Sequence, residues 1–314
     1  MEKTARVCVA GSRGMVGSAI VRRLREAGFE DIQELARDQA DLTRADEVDK
    51  WFKANRPEYL FIAAAKVGGV LANDLYSADF LRVNLQIQTN LIDCAHRYKV
   101  TKLLFLGSSC IYPKHAPQPM REEHLMTGLL EPTNDAYAIA KIAGIKMVEA
   151  YGKQYGLRGI SLMPTNLYGP GDNFDLQTAH VLPAMVRKFL EAKVEGKPSV
   201  GLWGSGTPRR EFLHVDDLAS AALFLMENYD GPGIINVGVG EDISIAGLAA
   251  LIAEVVGYEG EIVYDATKPD GTPRKWLDVS RLEGLGWSAS TSLRDGIVAT
   301  VAWYTEHHMN PSAL

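Results

Sequence analysis

The chain has 314 residues, of which 46% are hydrophobic and 23% charged, and its formal net charge is −6. This composition predicts a core of one or two domains, and the negative charge disfavours nonspecific binding to nucleic acid or docking on an anionic membrane. Cys8, Cys94 and Cys110 have no paired spacing, which argues against disulfides or a metal site and favours the reducing cytoplasm. We expect neither a signal peptide nor a membrane segment, because no apolar run precedes the first strand or reaches spanning length.

A glycine-rich turn follows the first predicted strand, residues 6–10, and leads into a predicted helix over 18–27. Its spacing is G-x-x-G-x-x-G, and such a turn lets the backbone approach a pyrophosphate at the helix N-terminus. A tight turn without a ligand is the alternative. The predicted dinucleotide contacts in this turn are Gly11, Ser12, Arg13, Gly14, Met15, Val16 and Gly17.

Arg37 follows a weak strand over 32–36, where an NAD enzyme carries an acid that binds the adenosine ribose. Together with Arg13 it suits a 2′-phosphate, because guanidinium groups bind phosphate in bidentate fashion. The pattern therefore favours NADP over NAD. Glu34 and Asp38 flank Arg37, and a register shift of one residue would turn one of these acids toward the ribose instead. The residues expected to reach the adenine are Asp41 and Leu42.

Strands and helices alternate through the first half of the chain, with strands over 59–63 and 102–106 and a helix over 78–98. Right-handed crossovers then predict an α/β fold, a doubly wound parallel sheet of the Rossmann type. Small residues follow the strands, at 64–69 and 107–109, so a cofactor could lie close to the backbone there.

Tyr137 and Lys141 are four residues apart near the start of a predicted helix over 134–155, so they share one helix face. The spacing predicts that the lysine ammonium lowers the pKa of the tyrosine toward working pH, so that the phenol can protonate a carbonyl oxygen. A surface pair is the alternative. The same spacing at 98/102 and 264/268 runs across a helix end or into a turn.

These features resemble the extended short-chain dehydrogenase/reductase superfamily, through the three glycines of the turn, Ser108, and Tyr137 with Lys141. Four longer motifs resemble one family within it, the 3,5-epimerase/4-reductases that convert GDP-4-keto-6-deoxy-D-mannose to GDP-L-fucose. They are AAAKVGG (63–69), GSSCIYP (107–113), PTNLYGP (164–170) and WGSGTP (203–208), in a resemblance that covers residues 5 to about 305. It implies NADP(H) as cofactor, a GDP-sugar substrate and a cytoplasmic homodimer formed through the helices over 78–98 and 134–155.

The resemblance also implies roles for individual residues. Ser108 would hydrogen-bond the substrate carbonyl, Lys141 would also reach the nicotinamide ribose, and Cys110 and His180 would carry the epimerisation. Which of these two is base and which is acid stays open. The further cofactor contacts implied are Ala64, Leu106, Gly107, Ser109, Lys141, Pro164, Asn166, Leu167 and His180.

The substrate contacts implied are Lys188, Trp203, Arg210 and Asp270. The family commonly has arginine at the position of Lys188, and lysine keeps the charge but loses the bidentate geometry. Trp203 either stacks on a base or caps the core of its lobe.

The alternation of strand and helix lapses after residue 170, which predicts a domain change there. We expect a dinucleotide-binding domain over 1–170 with a return segment near 212–240, and a substrate lobe over 171–211 and 241–314. Asp216 or Asp217 would cap a helix that ends at Asn228.

Two other functions compete with the epimerase/reductase. A C4 epimerase or 4,6-dehydratase of the same superfamily would keep a tightly bound NAD, whereas Arg13 and Arg37 favour NADPH that dissociates. A non-catalytic NADP-binding regulator would not need Ser108, Tyr137 and Lys141, and all three are present.

Overall fold

The computed structural model describes residues 1–231, 233–268 and 270–309. Its strands are, in chain order, β1 (Val7–Ala10), β2 (Ile32–Leu35), β3 (Tyr59–Ile62), β4 (Lys102–Leu106), β5 (Gly159–Pro164), β6 (Asn166–Tyr168), β7 (Ser199–Trp203), β8 (Arg209–Arg210), β9 (Phe212–His214), β10 (Ile234–Val237), β11 (Ile243–Ser244), β12 (Glu261–Asp265) and β13 (Arg274–Lys275). Its α-helices are α1 (Met15–Glu26), α2 (Ala45–Asn55), α3 (Val70–Leu75), α4 (Ser77–Arg97), α5 (Asp135–Tyr155), α6 (Val181–Val194), α7 (Val215–Asn228), α8 (Ile245–Val256), α9 (Ser280–Gly284) and α10 (Leu293–His308).

The central sheet has six parallel strands in the spatial order β10-β5-β4-β3-β1-β2. The chain leaves β1 toward β2 on one side and toward β3, β4 and β5 on the other, so the strand order reverses beside β1. This arrangement confirms the predicted doubly wound parallel sheet. Such a sheet binds ligands in the crevice outside the carboxyl ends of its strands, where the order reverses.

Helices cover both faces of this sheet, which explains why strands such as β1 and β4 are buried throughout. α2, α4 and α5 pack on one face, and α1 and α7 pack on the other. Gly144 brings α5 close to the sheet, because a Cβ at that position would lie 2.4 Å from Cζ of the Phe105 ring. α5 thereby carries its buried face directly onto β4.

A separate core lies in the second part of the chain, where α6, α8 and α10 pack with β7 and β12. β7 and β12 form a parallel pair, and β11, β8 and β13 form a small sheet in that order. β6 pairs with β9 at the junction with the central sheet. Among the described residues, no helix combines the length and apolar character that a membrane span requires.

The start of α7 differs from the prediction, since neither Asp216 nor Asp217 is its N-cap. His214 occupies that position, and its side chain accepts a hydrogen bond from the Asp216 backbone N–H. Both aspartates lie in the first turn, where they face the positive end of the helix dipole. Asp216 pairs with Arg22 on α1, and Asp217 accepts hydrogen bonds from Ser290 and Thr291. Their tertiary partners, rather than the helix end, determine where these carboxylates lie.

Candidate active site

The glycine turn lies at the carboxyl end of β1, beside the end of β3. Gly11 has φ +84°, and a Cβ there would lie 2.7 Å from the backbone of Ala64. A Cβ on Gly17 would lie 2.0 Å from the carbonyl oxygen of Gly11. Both positions therefore require glycine, so that α1 can pack tightly against the turn.

The centre of the turn has room and polar groups for a diphosphate. Gly14 is the N-cap of α1 and has no side chain to cap the helix, and a Cβ there would meet only the Gly11 carbonyl oxygen, at 3.5 Å. Ser12 is buried, and within the described part of the chain its hydroxyl has no hydrogen-bond partner. Free backbone N–H groups at a helix N-terminus and an unpaired hydroxyl suit an anion, so this turn fits a dinucleotide. Met15 and Val16 form the first turn of α1 above it.

Near the expected adenosine ribose, each acidic side chain that flanks Arg37 forms an ion pair with an arginine. Asp38 forms an ion pair with Arg13 at 2.6 Å, and Glu34 is paired with Arg25 on α1. Both acids that competed with Arg37 for the ribose thus have cationic partners. Arg37 itself is exposed two residues beyond the end of β2.

The residues expected near the adenine lie just beyond. Hydrogen bonds from Thr43 lower the pKa of Asp41, and the Leu42 side chain is buried in the core on the α4 side of the sheet.

Tyr137 and Lys141 lie in the first two turns of α5 and face the end of β4. Lys141 is 4% exposed, its Nζ donates a hydrogen bond to the Leu106 carbonyl oxygen at 2.7 Å, and Nζ lies 5.8 Å from the centre of the Tyr137 ring. The Ser108 hydroxyl reaches both the Tyr137 phenol and the Cys110 sulfur, and it accepts the Cys110 backbone N–H at 3.2 Å. The structure therefore brings these four residues together.

The pKa of Tyr137 shifts opposite to the prediction. Burial raises it, and the nearby Cys110 raises it further, against a smaller lowering by Ser108. Burial also lowers the pKa of Lys141 to about 7, and its ammonium is directed at the Leu106 carbonyl oxygen. The predicted lowering of the tyrosine pKa by this lysine is therefore wrong for the protein without ligands, because desolvation exceeds the charge effect.

Cys110 is half-buried, and its sulfur accepts a hydrogen bond from Lys275 Nζ at 3.2 Å. Burial alone would raise the pKa of this thiol. The charge of Lys275, hydrogen bonds from Ser108 and Lys275, and the charge of Arg210 outweigh burial, so the pKa lies below its ordinary value. A cysteine in such an electropositive setting is a reactive one.

His180 is the N-cap of α6 and lies close enough to Lys275 to feel its charge. Solvent reaches the ring, but the surrounding protein partly desolvates it, and this effect together with the charge of Lys275 lowers its pKa. The loop before it docks on the motif at 63–69, where the Gly69 N–H donates to the Thr178 carbonyl oxygen at 2.8 Å. A Cβ on Gly69 would lie 2.6 Å from the Ala179 carbonyl oxygen, so this glycine permits the close approach.

Three of the expected substrate contacts lie close together in the second part of the chain, near the loop after β7. They are Trp203, Arg210 and Asp270. The Ser205 backbone N–H donates to Asp270 at 2.9 Å, which fixes the loop after β7, and the charge of Arg210 contributes to the lowered pKa of Asp270. Trp203 is 64% exposed, so it does not cap the lobe's core, and Lys268 Nζ lies 5.7 Å from the centre of its ring. Lys188 on α6 is tied to this region, since Nζ donates to the β7 carbonyl oxygen of residue 201 at 3.1 Å.

The remaining predicted cofactor contacts line the ends of β4 and β5. Gly107 lets the backbone approach the next strand, because a Cβ there would lie 2.4 Å from the Met163 side chain. Ser109 is buried in the 3₁₀ turn that follows. After β5 and Pro164, Asn166 donates to the Glu211 carbonyl oxygen at 2.7 Å, and Leu167 continues β6.

Residues 7–238 match the NAD dependent epimerase/dehydratase family. The chain belongs to this family. A relative in Arabidopsis thaliana, GDP-L-fucose synthase 1, is 56% identical over 98% of this chain and 96% of its own.

Two solved structures resemble this family member over nearly their whole length. A GDP-6-OMe-4-keto-L-xylo-heptose reductase from C. jejuni has a TM-score of 0.94 at 36% identity, covering 98% of this chain and 99% of that one. A GDP-L-fucose synthetase from Naegleria fowleri bound to NADP has a TM-score of 0.90 at 28% identity, covering 98% and 96%.

Sequence reasoning missed two residues of this epimerase/dehydratase site. Lys275 lies in a two-residue strand of a polar stretch and has no motif around it, although a lysine between an arginine and a tryptophan could have suggested an anion site. Glu211 follows Arg210 in the sequence and is fully buried. Its carboxylate accepts N–H groups from Val239, Gly240 and Leu277 at 2.7 to 2.9 Å, and only the folded chain reveals these partners. No group of three potential metal ligands occurs within the described ranges.

Proposed function

We propose that this protein is the NADPH-dependent enzyme that epimerises GDP-4-keto-6-deoxy-D-mannose at C3 and C5 and reduces it at C4, yielding GDP-L-fucose. One observation carries the proposal. The Ser108 hydroxyl reaches both the Tyr137 phenol and the Cys110 sulfur, so a proton donor for reduction and a thiol suited to epimerisation share one point of the cleft. The identity to the Arabidopsis thaliana relative supports the same substrate.

The cofactor is NADP(H), which supplies the hydride for C4 when it is bound. The glycine turn with the Ser12 hydroxyl would hold its diphosphate, and Arg13 and Arg37 would hold the 2′-phosphate. Lys141 would reach the nicotinamide ribose from its place at the end of β4. The orphaned Ser12 hydroxyl and the uncapped start of α1 support this fit.

Tyr137 protonates the C4 oxygen during reduction. Its raised pKa keeps the phenol protonated until negative charge develops on the substrate oxygen. Ser108 donates its single hydroxyl proton in a hydrogen bond to the C4 oxygen while negative charge develops there, and after the proton transfer the same O–H can turn to the phenolate. The Lys141 ammonium, once held beside the phenolate, stabilises that charge.

Cys110 and His180 exchange protons at C3 and C5. The 4-keto group acidifies both carbons, and each inversion needs a base on one face of the sugar and an acid on the other. Cys110 approaches from the end of β4 and His180 from the start of α6. The lowered pKa of Cys110 favours the thiolate as the base, and the lowered pKa of His180 makes its imidazolium the stronger acid.

The GDP portion binds along the second lobe. Arg210 would pair with the diphosphate, and the exposed Trp203 would stack on a ring of the nucleotide. Asp270, held by Ser205, offers an acceptor to the base or ribose. Lys188 adds a positive charge without the bidentate geometry.

Three further features belong to this proposal. The chain divides into a dinucleotide-binding domain, over 1–170 with 212–240, and a substrate lobe. The enzyme works in the cytoplasm, where the three cysteines stay reduced. It forms a homodimer through α4 and α5. The outer faces of these helices carry a stacked His96–Tyr155 pair and the exposed Ile139. Native mass spectrometry tests the dimeric state.

The test is to incubate the full chain with NADPH and GDP-4-keto-6-deoxy-D-mannose, and to identify the product by NMR while following nicotinamide absorbance. We expect NADPH oxidation and GDP-L-fucose. One competing activity is reduction without epimerisation, and the C. jejuni neighbour is named a reductase. An unepimerised 6-deoxyhexose as the only product would establish that competitor and reject the proposal. A product formed without net NADPH oxidation would indicate an epimerase or dehydratase that returns its hydride.

A further inference from the structure

We propose that Lys275 is a positioning residue that holds the sulfur of Cys110 as a thiolate inside the cleft. The contact itself is independent of the substrate. Its catalytic meaning rests on the proposed function, in which Cys110 is the epimerising base. Nothing in the motifs around Lys275 assigns it a part in the reaction.

The geometry is a direct contact between a cation and a sulfur. Lys275 Nζ donates to Cys110 Sγ at 3.2 Å, within the range for a hydrogen bond to sulfur. The other groups that face this sulfur are the Arg210 guanidinium on β8, the Ser108 hydroxyl, and the Tyr137 phenol on α5. Two cations and two neutral hydroxyl groups surround it, so the local field favours negative charge on the sulfur.

Strand pairing and backbone hydrogen bonds hold Lys275 in this position. β13 pairs in parallel with β8, which sets Lys275 opposite Arg210. The Glu211 backbone N–H donates to the Lys275 carbonyl oxygen at 3.3 Å, and the Glu211 carboxylate accepts the Leu277 N–H at 2.9 Å. Successive strand residues point to opposite faces. Arg274 accordingly turns away to Asp242 and Trp276, while Lys275 turns into the cleft.

The same cation lowers the pKa of both epimerisation residues, and the lowering favours a different role in each. It lowers the pKa of Cys110 against the effect of burial, which makes the thiolate more available. It also contributes to lowering the pKa of His180, which makes the imidazolium a stronger acid. One lysine thus favours the thiolate of the base and strengthens the acid.

The experiment measures the rate of Cys110 alkylation by iodoacetamide as a function of pH in the full chain without cofactor or substrate. Peptide mass spectrometry follows Cys110 separately from the buried Cys8 and Cys94. For the wild type we expect the rate to reach half its maximum below pH ~8.5, the ordinary thiol value. Lys275→Met, which keeps the length of the side chain, should raise that midpoint by roughly one unit or more. Lys275→Arg should keep most of the shift.

The matched control is Arg274→Met, which removes a positive charge from the neighbouring strand position and should leave the midpoint unchanged. Equal shifts of the alkylation midpoint in both methionine variants would overturn the proposal. The shift would then come from the change of net charge or from a general destabilisation of the fold. A wild-type midpoint at or above ~8.5 would overturn it too, and that measurement needs no folded variant.

A second readout separates this proposal from the proposed function. In deuterated buffer with substrate and NADPH, Lys275→Met should slow deuterium incorporation at C3 and C5 more at pH 6.5 than at pH 9, where the free thiol also ionises. If the wild type does not turn over the GDP-sugar, the proposed function fails while the alkylation midpoints still decide the role of Lys275. Turnover with unchanged alkylation midpoints would reject Lys275 and leave the function intact.

Discussion

Lys141 Nζ donates a hydrogen bond to the Leu106 carbonyl oxygen at 2.7 Å, and this bond joins the start of α5 to the end of β4. The same helix carries Tyr137, so the bond also sets where the phenol lies relative to Ser108 and the cleft. The ammonium is buried at this junction, and burial lowers its pKa to about 7 from an ordinary value of 10.5. Holding α5 on the sheet by a charged group therefore makes the stability of the fold depend on pH.

Lys141→Met should flatten the rise of stability with pH in the cofactor-free protein. Because the folded-state pKa lies below the unfolded one, the unfolded chain binds more protons between about pH 7 and 10, so stability falls as the pH is lowered from about 10 to 7 and changes little below that range. The wild type should gain up to about 2 kcal/mol more than the variant between pH 7 and 9. Urea unfolding at the two pH values measures this gain. Lys146→Met, at an exposed lysine of the same helix, is the control and should follow the wild type.

Tyr137→Phe should reduce turnover by about 10²-fold or more while leaving NADPH affinity nearly intact. The change removes the proton donor for the C4 oxygen and keeps the ring that packs edge-on against Phe80. Steady-state kinetics and cofactor fluorescence titration measure the two effects. Tyr98→Phe, at the same spacing from a lysine but outside the cleft, should keep full turnover. Near-normal activity in Tyr137→Phe would rule out its role as the proton donor.

Arg37→Asp should weaken NADPH binding by roughly 10- to 100-fold and leave NADH binding unchanged, because only NADPH carries the 2′-phosphate that a guanidinium would bind. Isothermal titration with both cofactors makes the comparison. Arg44→Asp, which changes the charge equally at an exposed position farther along the chain, should leave both affinities as they are. A wild type without preference for NADPH over NADH would contradict the assignment of Arg37 to the phosphate.

Cys110→Ser should abolish proton exchange at both C3 and C5, since a serine hydroxyl is a far weaker acid than a thiol. Reduction of the unepimerised ketone should continue slowly, because Ser108, Tyr137 and Lys141 remain. In deuterated water the wild-type product should carry solvent deuterium at both carbons and the variant product at neither. Cys94→Ser, at a thiol buried away from the cleft, should label like the wild type. Full labelling in the Cys110→Ser product would refute the role of the thiol.

His180→Gln, measured by the same deuterium labelling, tests whether His180 protonates the sugar on the face opposite Cys110. We expect proton abstraction to persist and inversion to fail, because no acid would remain to protonate the carbon from that side. Deuterium would then enter the product without the change of configuration. Normal inversion in this variant would remove His180 from the mechanism.

The sequence by itself determined the local features of this protein, because they depend on neighbours along the chain. Apolar runs separated by glycine turns predict the parallel sheet, and the G-x-x-G-x-x-G spacing predicts the turn where α1 begins. The spacing of Tyr137 and Lys141 predicts their shared helix face, since the helix repeat alone decides it. The glycines of the turn are explained by the close backbone approaches that the structure contains.

Tertiary structure alone decided what depends on burial and on partners distant in the chain. Spacing places Lys141 near Tyr137 but gives no measure of desolvation, which reverses the expected pKa shift of the tyrosine. The contact between Lys275 and Cys110 joins residues 165 positions apart, through a strand pairing that has no local pattern. His214 rather than an aspartate caps α7 for the same reason, since Asp216 and Asp217 are held by Arg22 and by residues 290 and 291. Propensities and spacings act over a few residues, whereas charge, burial and long-range hydrogen bonding are properties of the assembled fold.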